Sequence, residues 1–418
     1  MNFDQPSVQE PQQESQEKKP TLHTPNYEVL LTEFGKKHPE KIETIRTVLD
    51  EFDEQGIKNF SIFRSEAMPG VAFSHTKLTI TTELINKLSK NSAVAETEMA
   101  TKKEIEGKEE NTNAKRQDYF LFGAFAFPPE GGNAFGVEDL AIDRFIRLLP
   151  RVAGPIKRGE VPPEVNVHLL GAPTGFGGAV NEKWIENIEK NGLDGHAKLY
   201  AEFISRQEPA DGKDVHVVLQ GVSKGAIIAE KTSKYLPEEL QKNTQRLLDN
   251  PAGEHKKQGV TKWLKGTQIA GAMIGETISR ILLDSTMRNL MKFGGPFIEK
   301  LSKETGIPTD NDEQKKLKLK ATMGEALALL KGSPMDTENT RSFIRRGIYD
   351  PLTFTPKRLL EIWQKDNKKN GTFPFFQKGK SLEVPFKSPG HFFIYDRFER
   401  WNKILGYSEK AGEKKNSA

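Results

Sequence analysis

Val215-His216-Val217-Val218-Leu219-Gln220-Gly221-Val222-Ser223-Lys224-Gly225-Ala226-Ile227-Ile228-Ala229-Glu230 decides the fold of this 418-residue chain. A β-branched apolar run passes within five residues into a helix-forming one, and the turn between them reads G-x-S-x-G. That pattern predicts a strand-to-helix turn so tight that its central residue, Ser223, takes a strained backbone. Gly221 and Gly225 are then the positions where neighbouring backbones close in and leave no room for a side chain. Such a turn lifts the Ser223 hydroxyl above a sheet edge at a helix N-terminus, where free N–H groups and the helix dipole favour developing negative charge. Two rival readings fail on spacing. A phosphate loop wants Lys and then Ser or Thr after its last glycine, whereas Lys224 lies between the glycines; a dinucleotide fingerprint is absent both here and at Gly175-Phe176-Gly177-Gly178.

If Ser223 is a nucleophile, an acid and then a histidine are expected downstream in that order. Of the eight histidines only His255 and His391 follow Ser223. His391 stands in Pro389-Gly390-His391-Phe392-Phe393, after the alternating segment Ser381–Phe386 and before an amphipathic stretch, Tyr395 to Leu405. A loop imidazole after the last strand can take the serine proton and return it to a leaving group. Asp350 ends Ser342-Phe343-Ile344-Arg345-Arg346-Gly347-Ile348-Tyr349 and precedes Pro351, which makes it the expected acid; turn initiation is its other reading. Asp336, in a Pro-containing turn, is the rival acid. The strand-like Val165–Leu170 runs into Gly171-Ala172-Pro173-Thr174-Gly175, a loop of close backbone approach. The oxyanion donors are therefore expected to be the N–H groups of Lys224 and Ala172, since Pro173 has none to offer.

Through Leu170-Gly171-Ala172-Pro173, Gly221-Val222-Ser223-Lys224-Gly225, Asp350-Pro351-Leu352 and Pro389-Gly390-His391 the chain resembles the α/β-hydrolase superfamily over about residues 118–407. The resemblance implies a mostly parallel eight-stranded sheet flanked by helices, a Ser-His-Asp triad and an inserted helical cap. Two positions depart from it: many members have His-Gly where this chain has Leu170-Gly171, and Lys224 is an unusual neighbour for the nucleophile.

Composition agrees with such an enzyme. Zero cysteines exclude disulfides, thiolate metal sites and a cysteine nucleophile, and neither a metal nor another cofactor is expected. A net charge of +4 against 62 basic and 58 acidic residues makes no electrostatic case for nucleic acid. The start, Met1 to Pro6, shows no basic or apolar leader, so a cytoplasmic location is expected.

By composition, residues 1–25 form a polar, disordered tail. Residues 26–253 and 336–410 form the hydrolase-type core, with a mobile charged insertion at about 90–115. Residues 254–335, helical in pattern, form a lid over the serine that would bind an acyl chain on its inner face. The run Lys315-Lys316-Leu317-Lys318-Leu319-Lys320 reads as a solvated helix face, with contact to a membrane surface as the lesser alternative. Two functional classes follow. One is a serine hydrolase acting on a small-molecule ester or thioester; the other is a non-catalytic hydrolase-fold protein that binds an unidentified protein partner.

Overall fold

The computed structural model describes residues 42–89, 114–123, 138–208, 214–249, 251, 298–332, 342–347 and 382–386, with 32, 36 and 39 besides. The 215–222 run forms β5 (Val215–Val222) of an eight-stranded sheet. Its companions are β1 (Ser61–Arg64), β2 (Ala72–Ile80), β3 (Arg116–Phe122), β4 (Glu164–Leu170), β6 (Thr244–Asp249), β7 (Ser342–Gly347) and β8 (Leu382–Phe386). The strand order is β1-β2-β4-β3-β5-β6-β7-β8. β2 runs antiparallel to both its neighbours, and every other pairing is parallel.

Parallel strands buried on both faces read as continuous apolar runs, and β3 shows why. Tyr119 and Leu121 enter one core with the helices α1 (Ile42–Lys58), α2 (Thr82–Ser89) and α3 (Glu138–Lys157). Phe120 and Phe122 point the other way. They meet α4 (Glu182–Asn191), α5 (Asp194–Gln207) and α6 (Lys224–Ser233) in a second core that includes Trp184, Phe203 and Ile227. The sheet is thus a middle layer between two helical ones. After the short α7 (Glu238–Lys242) and β6, a helix over 298–305, α8, and the longer α9 (Asp312–Lys331) precede β7.

This is the α/β-hydrolase-type architecture expected from the sequence. β3 leads through α3 to β4 on one side, and the chain then crosses to β5 on the other side of β3. The crevice outside the carboxyl ends of β3 and β5 is therefore the topological switch point, where ligands of open α/β sheets bind. β3 ends at Phe122, and 124–127 lie outside the described residues. The tail 1–25 and the charged stretch 91–113 also lie outside them. Within 254–335 only 298–332 are described; α9 there packs against α4, with Gly324 over Ile188. The lysine run divides: Lys315, Lys316 and Lys320 are exposed, but Lys318 is buried, donating to Asp310 at 2.6 Å and to the Gly175 carbonyl at 2.8 Å. Among the described residues no helix is long and apolar enough to cross a membrane.

Candidate active site

Ser223 is held at φ 57°, ψ −119° between β5 and α6. Side chains other than glycine avoid that region at a cost of about 1–3 kcal/mol. The surroundings enforce the turn: the Ser223 N–H donates to the Asp249 carbonyl at the end of β6 at 2.8 Å, and the Ala226 N–H to the Ser223 carbonyl at 3.1 Å. Both flanking glycines are steric necessities. A Cβ on Gly221 would stand 2.1 Å from the Gly225 carbonyl oxygen, and one on Gly225 would stand 2.3 Å from the Phe122 oxygen. Backbone is what these atoms would strike, so no rotamer change relieves the clash. Gly225→Ala is accordingly expected to cost at least about 3 kcal/mol, because α6 must move away from β3 to admit the methyl group. A drop in melting temperature of only one or two degrees in thermal denaturation would show that the β3–α6 contact is not tight.

The N-terminus of α6 therefore faces the switch-point crevice, with Ser223 at its head. Lys224, the next residue, is buried, and its ammonium reaches Glu325 of α9 at 2.5 Å. The other Glu325 oxygen faces His196 Nε2 of α5 at 2.8 Å. Sequence reading found the unusual lysine but not these partners, since 28 and 101 residues separate them from it.

The strand order bears on Ala172. Leu170 and Gly221 both sit opposite Phe122 of β3, so Ala172 and Ser223 leave the sheet at the same level but two strands apart, about 10 Å. The backbone beside the elbow is instead that of Phe122 and Gly123, whose carbonyl oxygens lie where a Gly225 Cβ would be. The Ala172 loop is fixed elsewhere. Gly171 donates to Ser74 O at 2.7 Å, its carbonyl accepts from Tyr200 Oη at 2.8 Å, and a Cβ on Gly171 would meet Ser74 Oγ at 2.2 Å. The glycine-rich signal there marks packing of β4 against β2 and α5.

Asp350 and Asp336 lie outside the described residues, as do His391 and its rival His255. The strands that lead to Asp350 and to His391 are described. β7 ends at Gly347, three residues before Asp350, and β8 ends at Phe386, five before His391. Both strands run parallel to β5, so both exit at the edge that carries Ser223.

At the opposite end of β3 lies a second group of charged side chains. Asp118, His168 and Glu208 are buried, with one ligand-type atom from each within 4.8 Å of the others. Arg116 already supplies positive charge there: its Nε donates to Asp118 at 2.7 Å and its Nη2 bonds Glu208, while Asn166 donates to the other Asp118 oxygen at 2.6 Å. The group reads as a neutralised ion-pair network far from Ser223. Burial, and then the neighbouring Asp118 carboxylate, push the Glu208 carboxyl up to about 8 against the pull of Arg116. A carboxyl raised in the folded state contributes stability that is whole below the unfolded-state value and is lost as pH rises through the raised one. Glu208→Gln is therefore expected to gain on the parent as pH climbs from 5 to 9, by up to a few kcal/mol, on the order of the shift. Thermal melts of both chains at pH 5, 7 and 9 measure it; parallel curves would show that Glu208 titrates normally.

No protein-family model matches the chain, and no curated protein matches it in sequence. Distant likenesses exist among solved structures. A peroxisomal α/β-hydrolase from Saccharomyces cerevisiae is 9% identical, over 85% of this chain and 90% of its own, with a TM-score of 0.38. A thermophilic esterase from Thermogutta terrifontis is 14% identical (85% and 98% covered, TM-score 0.35), and an epoxide hydrolase from Vigna radiata 11% (85% and 99%, TM-score 0.35). Likenesses this remote carry no argument about chemistry. The fold assignment stands on the strand order, the pairing directions and the elbow.

Proposed function

We propose that the chain is a serine hydrolase cleaving a small carboxylic ester or thioester through an acyl-enzyme intermediate. The observation that carries this reading is the backbone of Ser223: a strained, non-glycine turn at a helix N-terminus, in the crevice where the sheet order reverses. Strain of this kind persists where the surroundings over-determine it, and it collects at catalytic positions.

In this mechanism Ser223 Oγ attacks the acyl carbon as His391 takes its proton, and the carbonyl π electrons move onto the oxygen. The Lys224 N–H, at the first turn of α6, meets that oxyanion. We place the second donor in the backbone leaving β3 after Gly123, in preference to Ala172, because β3 is the strand beside the elbow. The tetrahedral adduct expels the alcohol or thiol, which receives the proton from His391; water then repeats the sequence on the acyl-serine. Asp350 accepts the other imidazole N–H and holds the tautomer. The part of the 254–335 stretch before α8 is proposed to roof the acyl pocket.

Intact-mass analysis after exposure to a fluorophosphonate tests the reading. One phosphonyl adduct is expected on the native chain and none on Ser223→Ala. A native chain that takes no label while folded would favour the non-catalytic binding protein.

A further inference from the structure

The residue after a nucleophile of this kind carries an N–H that meets the oxyanion, so whatever holds Lys224 holds that N–H. Its side chain ends in a buried polar knot. Glu325 offers one carboxylate oxygen to the Lys224 ammonium at 2.5 Å and the other to His196 at 2.8 Å, and all three side chains are buried. His196 is itself wedged edge-on against Trp184, with ring centroids 4.7 Å apart. Burial alone would push the Glu325 carboxyl up, but Lys224 and His196 together outweigh it and hold the group down at about 2. The carboxylate is therefore ionised across the working pH range.

An ammonium buried there that lost the Glu325 charge would be drawn away from its present seat, and it is attached to the first residue of α6. Displacement of the lysine therefore acts on the start of that helix, where the Lys224 N–H stands. α9, by contrast, has anchors of its own. Gln314 exchanges hydrogen bonds with the Val180 backbone at 3.1 and 3.3 Å, and Lys318 grips Asp310 and the Gly175 carbonyl.

We propose that Glu325 is a positioning residue for the reaction: from a firmly seated helix it anchors the Lys224 side chain, and so keeps the Lys224 N–H aimed at the oxyanion that forms beside Ser223. The proposal rests on Ser223 being the nucleophile. It gives α9, part of the stretch between β6 and β7, a hold on the active site that does not require contact with substrate.

The test uses the full chain, its Glu325→Gln variant and the double variant Lys224→Met/Glu325→Leu, which removes both charges of the pair. Three quantities are measured well below the melting temperature: the endpoint of fluorophosphonate labelling, which counts competent molecules; kcat and KM on a small p-nitrophenyl ester; and the affinity for an arylboronic acid, whose tetrahedral adduct on Ser223 places an oxygen where the oxyanion forms. Per competent molecule, Glu325→Gln should lower kcat by about ten- to a hundredfold, as expected for a donor displaced rather than deleted, with KM within about twofold. Boronate affinity should fall by the same factor, and the double variant should stay slow. If Glu325→Gln does not fold, the double variant decides alone. Parent-like rates and boronate affinity per competent molecule in either variant would overturn the proposal and leave Glu325 a stabilising residue only. A parent chain that takes no label would overturn it together with the reading of Ser223, whereas a reactive parent with unaffected variants overturns this inference alone.

Discussion

A Ser223→Gly variant is expected to melt higher than the parent while taking up no fluorophosphonate at all. Two consequences of one backbone conformation are being separated. At φ 57°, ψ −119° the serine sits where only glycine is at ease, and Asp214 is the other described non-glycine residue with positive φ. Glycine relieves about 1–3 kcal/mol of that strain and gives back roughly 0.5–1 kcal/mol through its greater freedom in the unfolded chain. The net gain is on the order of 1 kcal/mol, or about 2–4 °C for a cooperative unit of ordinary domain size. Ser223→Ala loses the same hydroxyl but keeps the Cβ, so it should be equally dead yet melt close to the parent. The difference between the glycine and alanine variants isolates the strain from the lost side chain. A glycine variant no more stable than the alanine one would mean that the elbow stores nothing, and the physical case for a catalytic Ser223 would lose its main support.

The elbow was legible in sequence because everything it requires is local: a β-branched run, two glycines at a fixed spacing and a helix-forming run. β4 and β8 could be read for the same reason, from short apolar or alternating segments beside Gly and Pro. β6, Thr244–Asp249, is buried along its length between β5 and β7. Other features depend on which strands become neighbours, which no local pattern states. Ala172 lies after a strand and in a glycine-rich loop, as an oxyanion donor should, but β3 inserts itself between β4 and β5. The Gly171 signal was real; its cause is the close approach of Ser74. Lys318 and Glu325 were invisible for a related reason. On the helix alone they are two charges among many, with nothing to distinguish them from the exposed Lys315 and Lys316. Only the meeting of α9 with the 171–178 loop and with the elbow makes them buried partners.

His391→Ala should cost nearly as much activity as the loss of Ser223 itself, about 10⁴-fold or more in kcat, while His255→Ala leaves kcat within a few-fold of the parent. β8 is the last described strand of the sheet, pairs parallel with β7, and ends at Phe386. The five-residue path from there to His391 begins at the carboxyl edge, the edge at which Ser223 stands. β7, which lies between β5 and β8, ends at Gly347 at that same edge, three residues before Asp350, the proposed acid. His255 lies six residues past the end of β6 at Asp249 and precedes both Asp336 and Asp350, so as the base it would break the chain order of serine, acid and histidine. In the proposed triad the members act as a unit, so removing the base would leave Ser223 with its backbone and oxyanion donor but unable to shed its proton. The measurement is kcat on a small ester for both variants, alongside the rate of fluorophosphonate uptake. A His255 variant as inactive as Ser223→Ala, with His391→Ala near the parent, would move the base into the stretch between β6 and α8 and dissolve the strand-order argument for the triad.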